Sequence, residues 1–198
     1  MTSAPEVFAR IGPEGRVPVL ETARLKLRAP RRADAKALAA LANDLRVAAS
    51  TARIPHPYQI ADAEQFIAAA NSREGDACFV VTRDGLLIGV CGVDLRADGP
   101  ELGYWFGASF WGRGYATEAA RALIDYAFGN LGCETLHSGA RVSNAASRRV
   151  LEKCAFQWTG VQLMRIRSIN SAAPMDRFRL DHGLWASLKT WGRVRHVA

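Results

Sequence analysis

No stretch of the sequence approaches the roughly 20 consecutive apolar residues that a membrane span requires. The amino-terminal segment carries Glu6, Arg10, Glu14 and Arg16 where a signal peptide would be apolar. Both absences predict a soluble protein with the cytoplasm as its location and no membrane partner. Cysteine is scarce: Cys78, Cys91, Cys133 and Cys154 stand singly among apolar neighbours, with no CxxC pair and no histidine at ligand spacing. Buried free thiols and no metal site are the expectation. A dense Lys/Arg stripe interleaved with aromatics is also missing. The 26 Lys and Arg outnumber the 19 Asp and Glu by a net +7, but they are scattered through both termini. Such a surplus attracts anions in general, nucleotides, acidic proteins and RNA alike, and it is the scatter that argues against direct nucleic-acid binding. There is no internal repeat and no low-complexity tract.

What remains is ordinary globular composition, 49% hydrophobic and 23% charged, which excludes wholesale disorder. A chain of 198 residues buries one substantial core. We expect a single domain over residues 19–198, with residues 1–18 a flexible arm in which Pro5, Gly12, Pro13, Gly15 and Pro18 interrupt any periodicity.

Leu25-Lys26-Leu27-Arg28 alternates with period two and predicts a strand. Asp34 then stands as N-cap before Ala37, Leu38, Leu41 and Leu45 at helical spacing, and Asp62 opens a second helix through Phe66, Ile67 and Ala70. Asp84-Gly85 between the apolar runs 78–83 and 86–93 is a strong hairpin signal, and a turn at Ala97-Asp98-Gly99-Pro100 returns a third strand over 101–106. Ala116, Ala119, Ala120, Leu123, Ile124, Ala127 and Phe128 form one face of the clearest helix. Gly129 and Gly132 end it, and 135–141 reads as a strand parallel to the meander. Asn144 caps a helix with Ala146, Val150, Leu151 and Cys154 inward, and strands near 157–166 and 175–181 precede a short helix over 184–191. Trp158, Trp185 and Trp191 read as core or interface anchors. The fold class is α/β (α+β): a mixed, mostly antiparallel sheet with one parallel pair and helices on both faces.

The turn Trp111-Gly112-Arg113-Gly114-Tyr115-Ala116-Thr117 lies between a strand and that helix, where backbone N–H groups concentrate partial positive charge. Gly112 and Gly114 lack the Cβ atoms that would hold a phosphate off the backbone. On these residues alone, a phosphate cradle and a plain tight turn are both open. A P-loop is excluded because Gly114-Tyr115-Ala116-Thr117 stands where Gly-Lys-Ser/Thr is needed. A dinucleotide fingerprint lacks its third glycine and follows an antiparallel meander.

Several ordered motifs together carry a resemblance. They are Glu21-Thr22-Ala23-Arg24-Leu25-Lys26-Leu27-Arg28, Leu87-Ile88-Gly89, Glu101-Leu102-Gly103-Tyr104-Trp105, the run Phe110-Trp111-Gly112-Arg113-Gly114-Tyr115-Ala116-Thr117-Glu118-Ala119, and Asn144-Ala145-Ala146-Ser147-Arg148-Arg149-Val150-Leu151-Glu152-Lys153. Over about residues 20–160 the chain resembles the GNAT acetyltransferases, in the branch of ribosomal-protein N-terminal acetyltransferases of the RimJ/RimL type. The resemblance implies acetyl-CoA as co-substrate, its phosphates held by Trp111, Gly112, Arg113, Gly114, Tyr115, Ala116 and Thr117. Two positions depart from the family pattern: Trp111 opens the turn, where only backbone contact is then expected, and Ala155 replaces a glycine before Phe156, where a local adjustment is expected.

Amine acetylation needs a neutral amine, donors for the oxyanion and a proton for the thiolate. The resemblance implies direct transfer, with the strand kinked near Trp105, Phe106 and Gly107 so that free N–H groups polarise the thioester. Period two puts Glu101, Gly103 and Trp105 on one face and Leu102, Tyr104 and Phe106 on the other. Glu101 is the candidate general base, against the reading of a solvated edge carboxylate. By resemblance Asn144 also holds the pantetheine arm, and Ser147 becomes the candidate acid because Leu151 stands where many family members carry tyrosine. No histidine is assigned to catalysis. The acceptor is a primary amine, a small molecule or a protein N-terminus, bound between the first two helices, the 55–59 loop and the last strands. Monomer and homodimer are both open. The competing readings are a CoA-binding or ribosome-associated module without turnover, and a basic RNA-binding protein.

Overall fold

Asp84 and Gly85 hold φ of +50° and +80°, the left-handed pair that a two-residue hairpin loop demands. The computed structural model describes residues 10–11, 17–72 and 76–191. That hairpin joins β4 (Ala77–Arg83) to β5 (Leu86–Arg96), and the Ala97-Asp98 turn leads into β6 (Gly99–Phe106). Ahead of them lie β1 (Arg10–Ile11), β2 (Pro18–Glu21), β3 (Lys26–Arg28) and helices α1 (Ala35–Ala42), α2 (Leu45–Ser50) and α3 (Ile60–Ser72). After them come α4 (Tyr115–Gly129), β7 (Thr135–Arg141), α5 (Ala145–Lys153), β8 (Gln157–Ile166), β9 (Ser171–Asp181) and α6 (His182–Trp191). Among the described residues the sheet runs β1-β2-β3-β4-β5-β6-β7-β9-β8. Its β6–β7 pair is parallel, in register at Glu101 opposite His137, and the others are antiparallel. No helix among the described residues is long and apolar enough to cross a membrane.

Strand alternation sorts the core onto two faces. Phe79, Leu102, Phe106 and Phe178 meet Ala119 and Leu123 of α4 and Leu151 of α5 on one face. Val80 and Val90 meet Leu38 of α1 and Ala63 and Ile67 of α3 on the other. Trp105 packs with this second group, so odd-numbered positions of β6 look toward α1 and α3. A third cluster, Ile166, Ala173 and Met175 against Ala52, seats the β8–β9 hairpin on the segment after α2.

Several expectations are corrected. The first helix ends at Ala42, and Asp44 begins a separate helix by accepting the Arg46 N–H at 2.9 Å. Leu45, expected inward, is 49% exposed: a local cap overrode a spacing that continued across the break. Asp34 is buried yet bonds to no N–H of α1. Its oxygens take Arg28 Nη1 and Nη2 at 2.7 and 2.8 Å and the Arg31 N–H at 2.8 Å. A bidentate charged pair outweighs a neutral cap, and burial, which alone would raise the Asp34 pKa, is overcome by these donors. Ala146, expected inward, is exposed at the start of α5, while Leu151 and Cys154 are buried. Cys91 and Cys154 are buried, Cys78 and Cys133 only partly so. Trp158 is exposed, its indole N–H bonded to Asp176 Oδ1 at 2.8 Å. Trp185 packs on Phe128 and donates to Asp125. Most of the expected amino-terminal arm lies outside the described residues, but Arg10 and Ile11 pair with Val19 and Pro18 as strand.

The adjustment expected at Ala155 is a left-handed backbone, φ +65°. The N–H of Phe156 reaches Leu151 O at 3.0 Å and that of Ala155 reaches Glu152 O at 2.9 Å. This bond pair terminates a helix through a left-handed residue. Here an alanine fills the position that glycine occupies most easily.

Candidate active site

Gly112 and Gly114 have φ of +74° and +80°, and Gly114 is the left-handed N-cap of α4. Because the chain climbs into the helix through these two angles, the N–H groups of residues 112–117 have no partner among the described residues. The first helical bond runs from Glu118 N–H to Gly114 O at 3.1 Å. Six consecutive donors at a helix N-terminus make an anion cradle. A Cβ on Gly112 would meet open space, and one on Gly114 would come within 3.4 Å of Arg24 Nη2. Trp111 takes no part in that cradle: its own N–H bonds to Ala108 O at 3.3 Å and its indole N–H to Phe106 O at 2.7 Å.

The turn is braced from β2–β3, a role that sequence reasoning did not assign to Thr22 and Arg24. Glu118 Oε1 accepts the Thr22 hydroxyl at 2.7 Å and the Arg24 N–H at 2.9 Å, while Oε2 accepts Arg24 Nε at 2.7 Å. Arg24 also donates to Arg113 O at 3.1 Å and lies over the Tyr115 ring, 4.8 Å from its centroid. The buried Tyr115 ring thus anchors the turn from beneath, and its hydroxyl accepts from Arg83 Nη1. Burial opposes charge on Glu118, but the Thr22 and Arg24 donors prevail and hold its carboxyl below the usual range.

Gly107 does not provide the free donor expected of it. Its N–H bonds to Ile88 O at 3.0 Å, and a Cβ there would strike Leu41 Cδ2 of α1 at 2.6 Å. The Leu41 side chain of α1 packs into the space that a side chain at 107 would take. Alternation along β6 turns the N–H groups of Tyr104 and Phe106 the other way, toward β7. With the parallel register recorded only at Glu101–His137, those two are the backbone donors facing the opening between the strands. Phe106 offers only backbone there, its ring being core, whereas Trp105, expected to contribute, turns its N–H the same way as Gly107, toward Val90 of β5.

Asn144 accepts the Ser147 N–H on Oδ1 at 3.0 Å, the cap expected of it, and its amide nitrogen has no partner among the described residues. Ser147 Oγ lies 3.0 Å from the Tyr104 hydroxyl, which also donates to Ser147 O at 3.2 Å. Burial drives the Tyr104 pKa well above that of a free phenol, the Ser147 contact opposing only weakly. Tyr104 is the polar group the sequence reading missed. Its signal was its place on the even face of β6, the face that looks toward α4 and α5.

Glu101 lies on the opposite face and is largely buried. Oε1 accepts Arg177 Nη1 at 2.7 Å and Oε2 pairs with Arg96 Nε. The solvated carboxylate of the alternative reading is therefore absent, and both oxygens carry a guanidinium. A continuous cleft of about 940 Å³ touches residues of both faces. Tyr104, Asn144 and Ser147 line one end, with Gly112 and Gly114 above them, while Tyr58, Phe66 and Glu101 line the other. The cleft passes through the sheet at the β6–β7 opening. Burial, aided by Asp62, pushes the Tyr58 phenol up to about 12. No cluster of three or more metal-ligating side chains occurs among the described residues.

The family model for the acetyltransferase (GNAT) domain matches residues 24–157. The chain belongs to the GNAT acetyltransferase family. Among GNAT relatives, YoaA of Bacillus subtilis, an uncharacterized N-acetyltransferase, is 31% identical over 174 residues, 80% of this chain and 93% of YoaA. The uncharacterized N-acetyltransferase p20 of Bacillus licheniformis is 33% identical over 96 residues, 46% of this chain, and the chain spans about half of it, 54%. Solved GNAT structures share the fold. RimL, a ribosomal L7/L12 alpha-N-protein acetyltransferase solved with coenzyme A, superposes at TM-score 0.71 and 16% identity over 82% of this chain and 97% of RimL. The spermidine N-acetyltransferase of Vibrio cholerae, solved with CoA and spermine, superposes at TM-score 0.71 and 19% identity over 83% of this chain and 99% of that one.

Proposed function

We propose that the protein transfers the acetyl group of acetyl-CoA directly to a primary amine, with a protein N-terminal α-amine as the leading acceptor. The observation that carries this reading is the single cleft lined from both faces of the sheet, with six N–H groups unpartnered among the described residues beside its Gly112 and Gly114 end. The N–H groups of residues 112–117 hold the pyrophosphate, and the Asn144 amide donates to the pantetheine arm. The Tyr104 and Phe106 N–H groups face the thioester oxygen where negative charge develops. The amine nitrogen attacks the thioester carbon and the carbon–sulfur bond breaks. The amine proton leaves through water toward Glu101 and on to solvent, and the thiolate takes a proton from Ser147, which solvent restores by way of the Tyr104 hydroxyl. Likeness to RimL supports the N-terminal acceptor.

The test is calorimetric titration of acetyl-CoA into the wild type and Gly114→Val. A β-branched residue at φ +80° is strained and crowds the cradle, so binding is expected in the wild type and lost in the variant. Equal affinity in both would sink the site assignment. A CoA-binding module without turnover is the second reading, favoured by the double clamp on Glu101. It predicts binding with no CoA released in the presence of peptides or small amines.

A further inference from the structure

The acceptor half of the cleft has a wall of alternating charge that begins and ends in arginine. Arg53 pairs with Asp94, Asp94 lies 3.6 Å from Arg96, Arg96 pairs with Glu101, and Glu101 accepts Arg177 at 2.7 Å. All five side chains line the cleft. Each carboxylate in the chain is therefore held by two guanidinium groups, and the cations outnumber the anions. Two further carboxylates line this half. Asp62 accepts the Gln59 N–H at the start of α3, and Asp76 accepts the Leu95 N–H at 2.7 Å.

The inner terminus, Arg177, is the least exposed of the three arginines, at 16%. Nη1 is engaged by Glu101, but the carboxylate recorded beside Nη2 is Asp98, 3.9 Å away on a side chain 68% exposed. The guanidinium comes close to β7 at a glycine: a Cβ at position 139 would sit 3.0 Å from Arg177 Nη1. This guanidinium is withdrawn from water, and its Nη2 has only a long ion pair to an exposed carboxylate and no hydrogen bond among the described residues, which leaves room for a closer anionic partner. Its planar donors suit a carboxylate. It stands over β7 next to Glu101, at the β6–β7 opening where the acceptor amine must arrive.

From this we infer that Arg177 selects acceptors in which the primary amine carries a carboxylate nearby. The inference rests on the transferase reading and names its substrate class. A polyamine fits poorly beside Arg177, because its second ammonium would meet the guanidinium there, while Asp94 and Glu101 are already each held by two arginines and Asp62 and Asp76 stand elsewhere on the wall.

Initial rates of CoA release with the full-length protein test this. One arm compares free amino acids with their carboxamides, a second compares peptides bearing Asp or Asn beside the N-terminal residue, and spermidine is the third. At least a tenfold preference in kcat/KM for the carboxylate form is expected in one of the first two arms, which tells whether the source is an amino acid or a peptide. Spermidine should be the poorest substrate. Arg177→Met should bring the acid-to-amide ratio near one with acetyl-CoA affinity kept. Gly139→Ala, which keeps the charge but lifts the guanidinium, should lower the ratio in the same direction and covers the case in which Arg177→Met fails to fold. A wild-type ratio near one, a preference for spermidine, or an unchanged ratio in the variants would overturn the inference while leaving the transferase reading intact. Absence of acetyl-CoA binding, or of turnover with every amine, would overturn both.

Discussion

Tyr104 and Ser147 reach the cleft from different elements and meet at 3.0 Å, so their hydroxyls act as a pair. Because burial raises the Tyr104 pKa, the phenol stays protonated throughout the neutral range and keeps its hydrogen-bonding contact with Ser147. Removing the phenol hydroxyl in Tyr104→Phe deletes its two neutral contacts with Ser147 and should slow kcat about tenfold. Ser147→Ala should slow it more, by about a hundredfold. In both variants acetyl-CoA affinity should hold, since neither hydroxyl touches the phosphate turn. Single-turnover rates and calorimetry measure the two effects separately, and undiminished rates would remove the pair from the chemistry. Glu101 differs in kind. Its oxygens face two arginines instead of solvent, a circumstance that its position on β6 gave no hint of, because Arg177 is 76 residues away in the chain.

At the scale of elements, the phosphate turn depends on a carboxylate in the first turn of α4 and a loop almost a hundred residues earlier. Glu118→Gln removes the charge that Thr22 and Arg24 surround and should cost about 1–2 kcal/mol at neutral pH, charge-assisted bonds being worth somewhat more than neutral ones. The sign with pH follows from the lowered folded pKa. The stabilisation is fully present above the unfolded pKa of about 4.3 and is lost as pH falls through the lower folded value. The melting-temperature gap between wild type and variant should thus be constant at neutral pH and narrow below about pH 4.3. A gap independent of pH would show that the charge of Glu118 does not stabilise the turn. Local signals made much of the fold legible. Asp84-Gly85 announced its hairpin, α4 its apolar face, and 135–141 its strand, each within a few residues of chain. What stayed hidden was non-local or cryptic. The α1–α2 break was masked by Leu45 continuing a helical spacing, the Asp34 cap signal was overridden by Arg28 six residues earlier, and the Glu118 clamp depends on an arginine 94 residues away that only folding brings near. In the site, the turn and the Asn144 cap were readable as motifs, whereas the packing reason for Gly107 needed Leu41.

At the scale of the whole molecule, a cleft lined from both faces of the sheet lets the proposed cofactor and acceptor approach one reaction from opposite sides. Cofactor and acceptor need not wait for each other at a shared doorway, so a bulky acceptor can engage while the cofactor is seated. The consequence is kinetic. Double-reciprocal plots for the two substrates should intersect, and free CoA should compete with acetyl-CoA but not with the amine. Parallel lines would instead require the acetyl group to rest on the protein between two separate visits. A cleft lined from both faces thus becomes a statement about traffic: two approaches, one crossing point, and no need for either visitor to leave before the other arrives.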